Sequence, residues 1–279
     1  MVNLTHKDKT MREIFTNLDF RIGLSYALNR QEIIDSVFSR QGEPWQAAPR
    51  RESPHFNERL AKQYTEFDLD KAAEHLDKVL PDKADDGTRL RPDGKPLSFQ
   101  VEVQSDRIDL IDALEFVRTH WQKVGIKIGI KTEDGTLFNE RVDANEHDAC
   151  VGLGGGGLGP TLDPFYYMPY NFNTRYAIPW NRWYVNRDDP LAETPPEAAR
   201  QQLEIYAELL RTKDEQTQIE LMRKITDIAA EQFYCMGVGL RDREYGVVSS
   251  RLHNVPESTI TGWLYANIMP ANPQQFFIK

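Results

Sequence analysis

Apolar residues recur at near-helical spacing in the first strong element of the chain. Within residues 20–38, Leu24, Ala27, Leu28, Ile33, Ile34, Val37 and Phe38 stand between Arg, Asn and Gln, which predicts one amphipathic helix. Gly42-Glu43-Pro44 stops it. Residues 47–63 carry Pro49 and Pro54 and predict an irregular crossing segment. Asp68 or Asp70 then caps a short helix with Ala72, Ala73, Leu76 and Val79 on one face. Residues 81–94 are polar and hold Asp86-Gly87 and Asp93-Gly94, a loop or an exposed hairpin turn.

From residue 97 the period changes. Leu97, Phe99, Val101 and Val103 alternate with polar residues, which predicts a half-buried strand. A helix over 106–124 follows, with Leu110, Ile111, Leu114, Val117, Trp121 and Val124 as its stripe and Gly125 as its stop. Ile126, Ile128 and Ile130 mark the next strand, residues 135–144 another helix and residues 148–153 another strand. Strands and helices thus alternate over 97–153, the pattern of an α/β layered domain.

Residues 154–186 differ in kind. They are rich in Gly, Pro and aromatic residues with little periodicity, and a long structured loop is uncommon unless it is functional. Their aromatic content argues against disorder. Helices are predicted next over 196–210, where Pro195-Pro196-Glu197 is a good start, and over 214–231, with Ile219, Met222, Ile225 and Ala229 facing a core. Residues 235–240 predict a last apolar strand, and the tail from 241 is loop-rich. No internal repeat is visible.

Charge narrows the partners. Against 34 Lys and Arg stand 43 Asp and Glu, a formal net charge of −9. This argues against nucleic-acid binding, which requires a basic footprint, and gives no support to binding at an anionic membrane surface. No apolar run is long enough to span a bilayer, and the N-terminal stretch lacks the apolar core of a signal peptide. Two cysteines, Cys150 and Cys235, are too few for a disulfide scaffold or a zinc site. Each sits in a short apolar run, so buried thiols are expected, with a disulfide possible only between neighbouring strands.

No catalytic pattern, metal set or cofactor fingerprint stands up. The six histidines are scattered and form no metal-ligand spacing. The run Gly154–Gly157 lacks the Lys-Ser/Thr of a P-loop and the spacing of a dinucleotide fingerprint. A glycine run leaving a strand suits a tight bend or a close backbone approach. Asp163, Asp148 and Glu146 are carboxylates in one region, but glycoside hydrolysis needs two at a defined separation. More informative are the aromatic residues of 165–184, which either pin the loop to the domain or form a binding wall that stacks on sugar faces or peptide side chains. Trp263 and Tyr265 are candidates to extend such a wall.

Several segments, in order, resemble the family 5 extracellular solute-binding proteins of ABC importers, which bind oligopeptides, dipeptides, nickel or oligosaccharides. The helix Phe20-Arg21-Ile22-Gly23-Leu24-Ser25-Tyr26-Ala27-Leu28-Asn29-Arg30 resembles the family's signature helix. Phe67 to Ala72 with Leu76, Trp121 to Ile128, His147-Asp148-Ala149 and Leu252-His253-Asn254-Val255-Pro256 resemble later elements of the family in the right order. The resemblance implies an α/β fold: one lobe of a two-lobed, periplasmic-binding-protein-like architecture (type II, cluster C), a mixed sheet flanked by helices. Family members are about twice as long. The chain therefore reads as the C-terminal lobe, with residues 1–14 a lead-in from a missing N-terminal lobe, 15–240 the second ligand-binding lobe and 241–279 a tail that returns to the missing lobe.

The function so implied is capture, not catalysis. A small solute binds between the lobes, and the closed form docks on a membrane permease. The full-length protein is expected in the periplasm. Peptide-binding members hold the ligand amine with an Asp placed before the acidic-Pro pair of this loop. Here Asp163-Pro164 matches that pair and Pro160 stands where the Asp would be, which favours an oligosaccharide-like over a peptide-like solute. The residues expected in the cleft are Gly155, Gly156, Asp163, Tyr166, Trp180 and Trp183. The glycines would admit ligand or the opposing lobe, Asp163 would accept hydrogen bonds or cap the following turn, and the rings would stack. A glycoside-processing enzyme and a solute-sensing regulatory module are the alternative readings.

Overall fold

Asn and Asp side chains set the starts of the first helices. In the computed structural model, which describes residues 1–155, 157–260 and 269–279, Asp8 caps α1 (Lys9–Thr16), Asn17 caps α2 (Leu18–Tyr26) and Asn29 caps α3 (Arg30–Val37). Each accepts a hydrogen bond from a first-turn N–H, a bond typically worth about 1 kcal/mol. The single helix predicted over residues 20–38 is therefore two. The apolar stripe runs on through the break because Ala27 and Leu28 stay buried between the helices. A two-residue strand β1 (Glu43–Pro44), a short helix α4 (Glu58–Lys62) and α5 (Leu69–Asp77) follow, with Asp68 capping α5.

The alternation over 97–153 builds the sheet. β2 (Ser98–Gln104), α6 (Ile108–Gln122), β3 (Lys127–Glu133), α7 (Gly135–Asp143) and β4 (Ala149–Cys150) form a parallel sheet in the order β3-β2-β4. Val2 adds an antiparallel bridge to Ala149, so the sheet is mixed. Gly125 at φ +82° ends the α6 turn, and a Cβ there would lie 2.5 Å from the Gly87 carbonyl oxygen. β4 is shorter than the six residues predicted, because from Val151 the chain leaves the ladder for the glycine run. Phe15, Phe99 and Trp121 join α1, β2 and α6 in one buried cluster, with Phe15 and Phe99 edge-to-face at 5.2 Å. Burial of such rings contributes about 1.5–3 kcal/mol each.

The aromatic stretch contains a helix that periodicity does not announce, α8 (Ile178–Val185), with Pro179 in its first turn. α9 (Glu197–Arg211) and α10 (Glu215–Gln232) then pair with α4 around a second cluster that includes Trp45, Tyr167, Met168, Tyr206 and Met222. Within residues 235–240, predicted as one strand, the regular strand is β5 (Gly239–Leu240), paired antiparallel with β1.

Two buried arginines of the signature helix region tie this C-terminal segment down. Arg21 donates to the carbonyl oxygens of Phe15 at 2.6 Å, Gln232 at 2.8 Å and Phe233 at 3.1 Å. Arg30 donates to the carbonyl oxygens of Ser25 at 2.8 Å and Gly237 at 2.9 Å, and to the Ser25 hydroxyl at 2.7 Å. At Gly237 backbone comes close: a Cβ there would sit 2.5 Å from the Trp45 carbonyl oxygen and 2.6 Å from Gln46 backbone.

The chain divides into two compact units, Met1–Arg241 and Asp242–Lys279. Residues 1–14 belong to the first, with Val2, Leu4, Met11 and Ile14 in its core. In the second, β6 (Leu252–His253) pairs antiparallel with β7 (Phe277–Ile278), and the His253 and Phe277 rings stack at 5.2 Å.

Candidate functional site

Ligands of open α/β sheets bind outside the carboxyl ends of the parallel strands. In this sheet those ends are Gln104 of β2 and the run Val151-Gly152-Leu153 after β4. Two depressions open there. The larger, about 390 Å3, is mainly apolar and is lined by Val117, Trp121, Gly154, Gly155, Tyr166 and Met236, among others. The smaller, about 140 Å3, is bounded by Gln104, Arg107, Val151, Tyr166, Asn173 and Arg175. Tyr166 and the turn after β4 belong to both.

The glycine run is shaped by side chains. A Cβ on Gly155 would meet the Tyr166 ring at 2.7 Å and the Tyr167 hydroxyl at 3.1 Å. Tyr167, buried, donates its hydroxyl proton to the Gly155 carbonyl oxygen at 2.7 Å, which holds the run against the loop that follows. Gly154 and Gly157 have open space where a Cβ would project, and neither has a positive φ. Gly155 is thus the member of the run that neighbouring side chains approach closely.

The structure brings Gly155 and Tyr166 together at the larger cleft and spreads the other expected site residues. Gly156 lies outside the described residues, as do Trp263 and Tyr265. Asp163 is half-buried and accepts from the Asn171 amide at 3.0 Å; burial raises its carboxyl above the ordinary range. Trp180 is 7% exposed and packs edge-on against Tyr234 at 6.3 Å, so the core occupies its ring. Trp183 packs on the second cluster, and the Arg187 guanidinium covers its ring at 4.6 Å.

The three carboxylates weighed for hydrolysis have other partners. Asp148 accepts from His6 at 2.8 Å and from the Gln100 N–H at 2.8 Å. Glu146 pairs with Lys7 and Arg141. Among the described residues no group of three His, Cys, Asp or Glu is placed to hold a metal ion. Both cysteines are free and buried, and burial pushes the Cys235 thiol up to about 12.

Sequence reasoning did not single out Arg107, Arg175, Gln104 or Asn173. A surface arginine in a loop carries no pattern of its own. The signal available was position: Gln104 and Arg107 close a strand whose carboxyl end must face the crevice.

No curated protein matches the chain. The family model for bacterial extracellular solute-binding proteins, family 5 Middle, matches residues 1–176. Among solved structures, an oligopeptide-binding protein OppA is 30% identical, with a TM-score of 0.82 over 100% of this chain and 46% of its own. The periplasmic binding protein MelB from Agrobacterium fabrum, in complex with stachyose, is 16% identical, with a TM-score of 0.68 over 85% of this chain and 37% of its own. A periplasmic oligopeptide-binding protein from Thermotoga maritima, with mannohexaose bound, is 17% identical, with a TM-score of 0.63 over 91% of this chain and 46% of its own. The chain thus spans less than half the length of each of these structures, and at their identities the last two speak for the fold alone. The chain belongs to the bacterial extracellular solute-binding proteins, family 5.

Proposed function

We propose that this chain supplies one wall of the solute site of an ABC importer's binding protein, with an oligosaccharide-like or peptide-like solute captured against a second lobe and handed to a membrane permease. The observation that carries this reading is the pair of depressions at the carboxyl ends of β2 and β4. The larger combines apolar walls, the Tyr166 ring and glycine backbone, the mixture by which pockets hold small molecules. The names of similar proteins include both an oligopeptide binder and complexes with stachyose and mannohexaose, so both solute classes are in range. Domain closure about a hinge would complete the contacts, and a single lobe binds weakly because half of those contacts are missing.

NMR titration of the 279-residue chain with trialanine, stachyose and mannohexaose tests the reading. Amide shifts confined to residues 151–166 and 235–241, at millimolar solute, are expected. No shift with any of the three, or shifts on the faces of α9 and α10 alone, would remove it.

A further inference from the structure

We propose that Tyr167 is a positioning residue for the solute site: its hydroxyl, braced through Gln202, holds the glycine run in the shape that binds, without itself touching the solute. The inference rests on the proposed binding role and adds to it the residues that keep the wall's backbone in place.

A run of glycines has more backbone freedom to lose than other sequences. Gly154, Gly155 and Gly157 line the larger depression. Among the described residues, the N–H groups of Gly154 and Gly155 find no acceptor, and nothing lies within 4 Å of a Cβ placed on Gly154 or Gly157. The run is held instead by carbonyl oxygens. That of Leu158 accepts from the Ser53 hydroxyl at 2.6 Å, and that of Gly157 from the Arg50 N–H at 3.3 Å. That of Gly155 accepts from the Tyr167 hydroxyl at 2.7 Å. Of the three, the Tyr167 bond lies nearest along the chain to the end of β4, so it sets where the run goes on leaving the sheet.

Tyr167 is itself fixed. It is 2% exposed and is not among the residues that line either depression. Its N–H donates to the Pro164 carbonyl oxygen at 2.8 Å, and its own carbonyl oxygen accepts from the Gln202 amide at 2.8 Å. Gln202, buried on α9, donates also to the Ile225 carbonyl oxygen of α10 at 2.8 Å and accepts from the Tyr234 hydroxyl at 3.3 Å. The run is thereby referred to a pair of long helices, and a site supported from regular elements is more precise than one resting on loops. Burial raises the Tyr167 phenol above its ordinary range, so the hydroxyl stays a donor at neutral pH. A wall ordered in advance binds more tightly because the solute does not have to order it.

Tyr167→Phe removes the donor and keeps the ring that packs in the second cluster. The test compares the 279-residue parent and variant by 15N relaxation and by titration with trialanine, stachyose and mannohexaose. In the variant, the order parameters of the Gly154, Gly155 and Gly157 amides should fall from about 0.85 to below about 0.6, while those of α9 and α10 hold. The solute that the parent binds should bind roughly fivefold or more weakly. In a Gly154→Ala background the same change should cost less affinity, because alanine restricts the run by another route.

Unchanged order parameters would overturn the brace and leave the binding role standing. A loosened run with unchanged affinity would overturn the positioning role and again leave the binding role standing. An equal loss of affinity in both backgrounds would make Tyr167 a general structural residue and overturn the proposal. A parent that binds none of the three solutes would overturn the binding role and the positioning role together.

Discussion

His147 donates from Nε2 to the carbonyl oxygen of Arg175 at 2.7 Å, joining the residue two places before β4 to the loop that borders the smaller depression. The imidazole is 1% exposed, and its Nδ1 has no partner among the described residues. Burial is the main reason its basicity falls, to about 4 from an ordinary 6.5. The unfolded chain therefore takes up a proton on this ring below pH 6.5 while the folded chain does not. Stability is complete above that pH and falls as the pH drops toward 4, by about 3 kcal/mol in all. Urea denaturation at pH 7.5 and pH 4.5 should show this loss, and His147→Gln should show less of it.

Gly237 and Gly154 should respond oppositely to one added methyl group. At Gly237 a Cβ would meet main-chain atoms of Trp45 and Gln46, which no rotamer change relieves. Gly237→Ala should cost about 1–3 kcal/mol, as overpacking does. At Gly154 nothing lies within 4 Å, and the φ suits any residue, so Gly154→Ala should stay within about 0.5 kcal/mol of the parent. Thermal or chemical unfolding of the two variants checks both. A Gly154→Ala variant as unstable as Gly237→Ala would contradict the geometry of the run.

Arg30 is 1% exposed and satisfies oxygens on segments far apart in sequence. Arg30→Met keeps much of the volume but leaves the Gly237 and Ser25 carbonyls without this donor. A loss of about 2–5 kcal/mol is expected. Amide exchange should quicken most in residues 233–240, the segment that Arg30 and Arg21 hold.

The two thiols should be inert while the protein is folded. Cys150 and Cys235 are buried and free, burial raises both, and the thiolate is the reactive form. Iodoacetamide followed by mass spectrometry should find neither labelled in native buffer and both labelled in denaturant. Rapid native labelling of Cys235 would mean that residues 235–240 open readily.

Local physics explains how much of this was legible in the sequence. The β–α alternation over 97–153, the Asp68 cap and the Gly125 stop depend on near neighbours, and a periodic stripe or a capping side chain reports them directly. The break between α2 and α3 was not visible, because Leu24, Ala27, Leu28 and Ile33 serve one core on both sides of it. α8 was hidden for a different reason: Trp180 faces the core while Trp183 and Tyr184 pack on the second cluster, so its apolar residues cover more than one face. Of the residues that line the larger depression, Gly155 and Tyr166 were among those the sequence singled out. Arg107 and Arg175, which line the smaller depression, carried no signal, because their meeting depends on where β2 ends relative to a loop some seventy residues later in the chain.

The buried arginines of the signature region grip oxygens of the main chain and one hydroxyl, and no carboxylate. Every residue type supplies a carbonyl oxygen. Residues 232, 233 and 237 can therefore drift in identity without loosening the grip, provided the chain keeps its path and position 237 stays free of a side chain. Substitutions at 232 and 233 should therefore be tolerated far better than substitutions of Arg21 or Arg30.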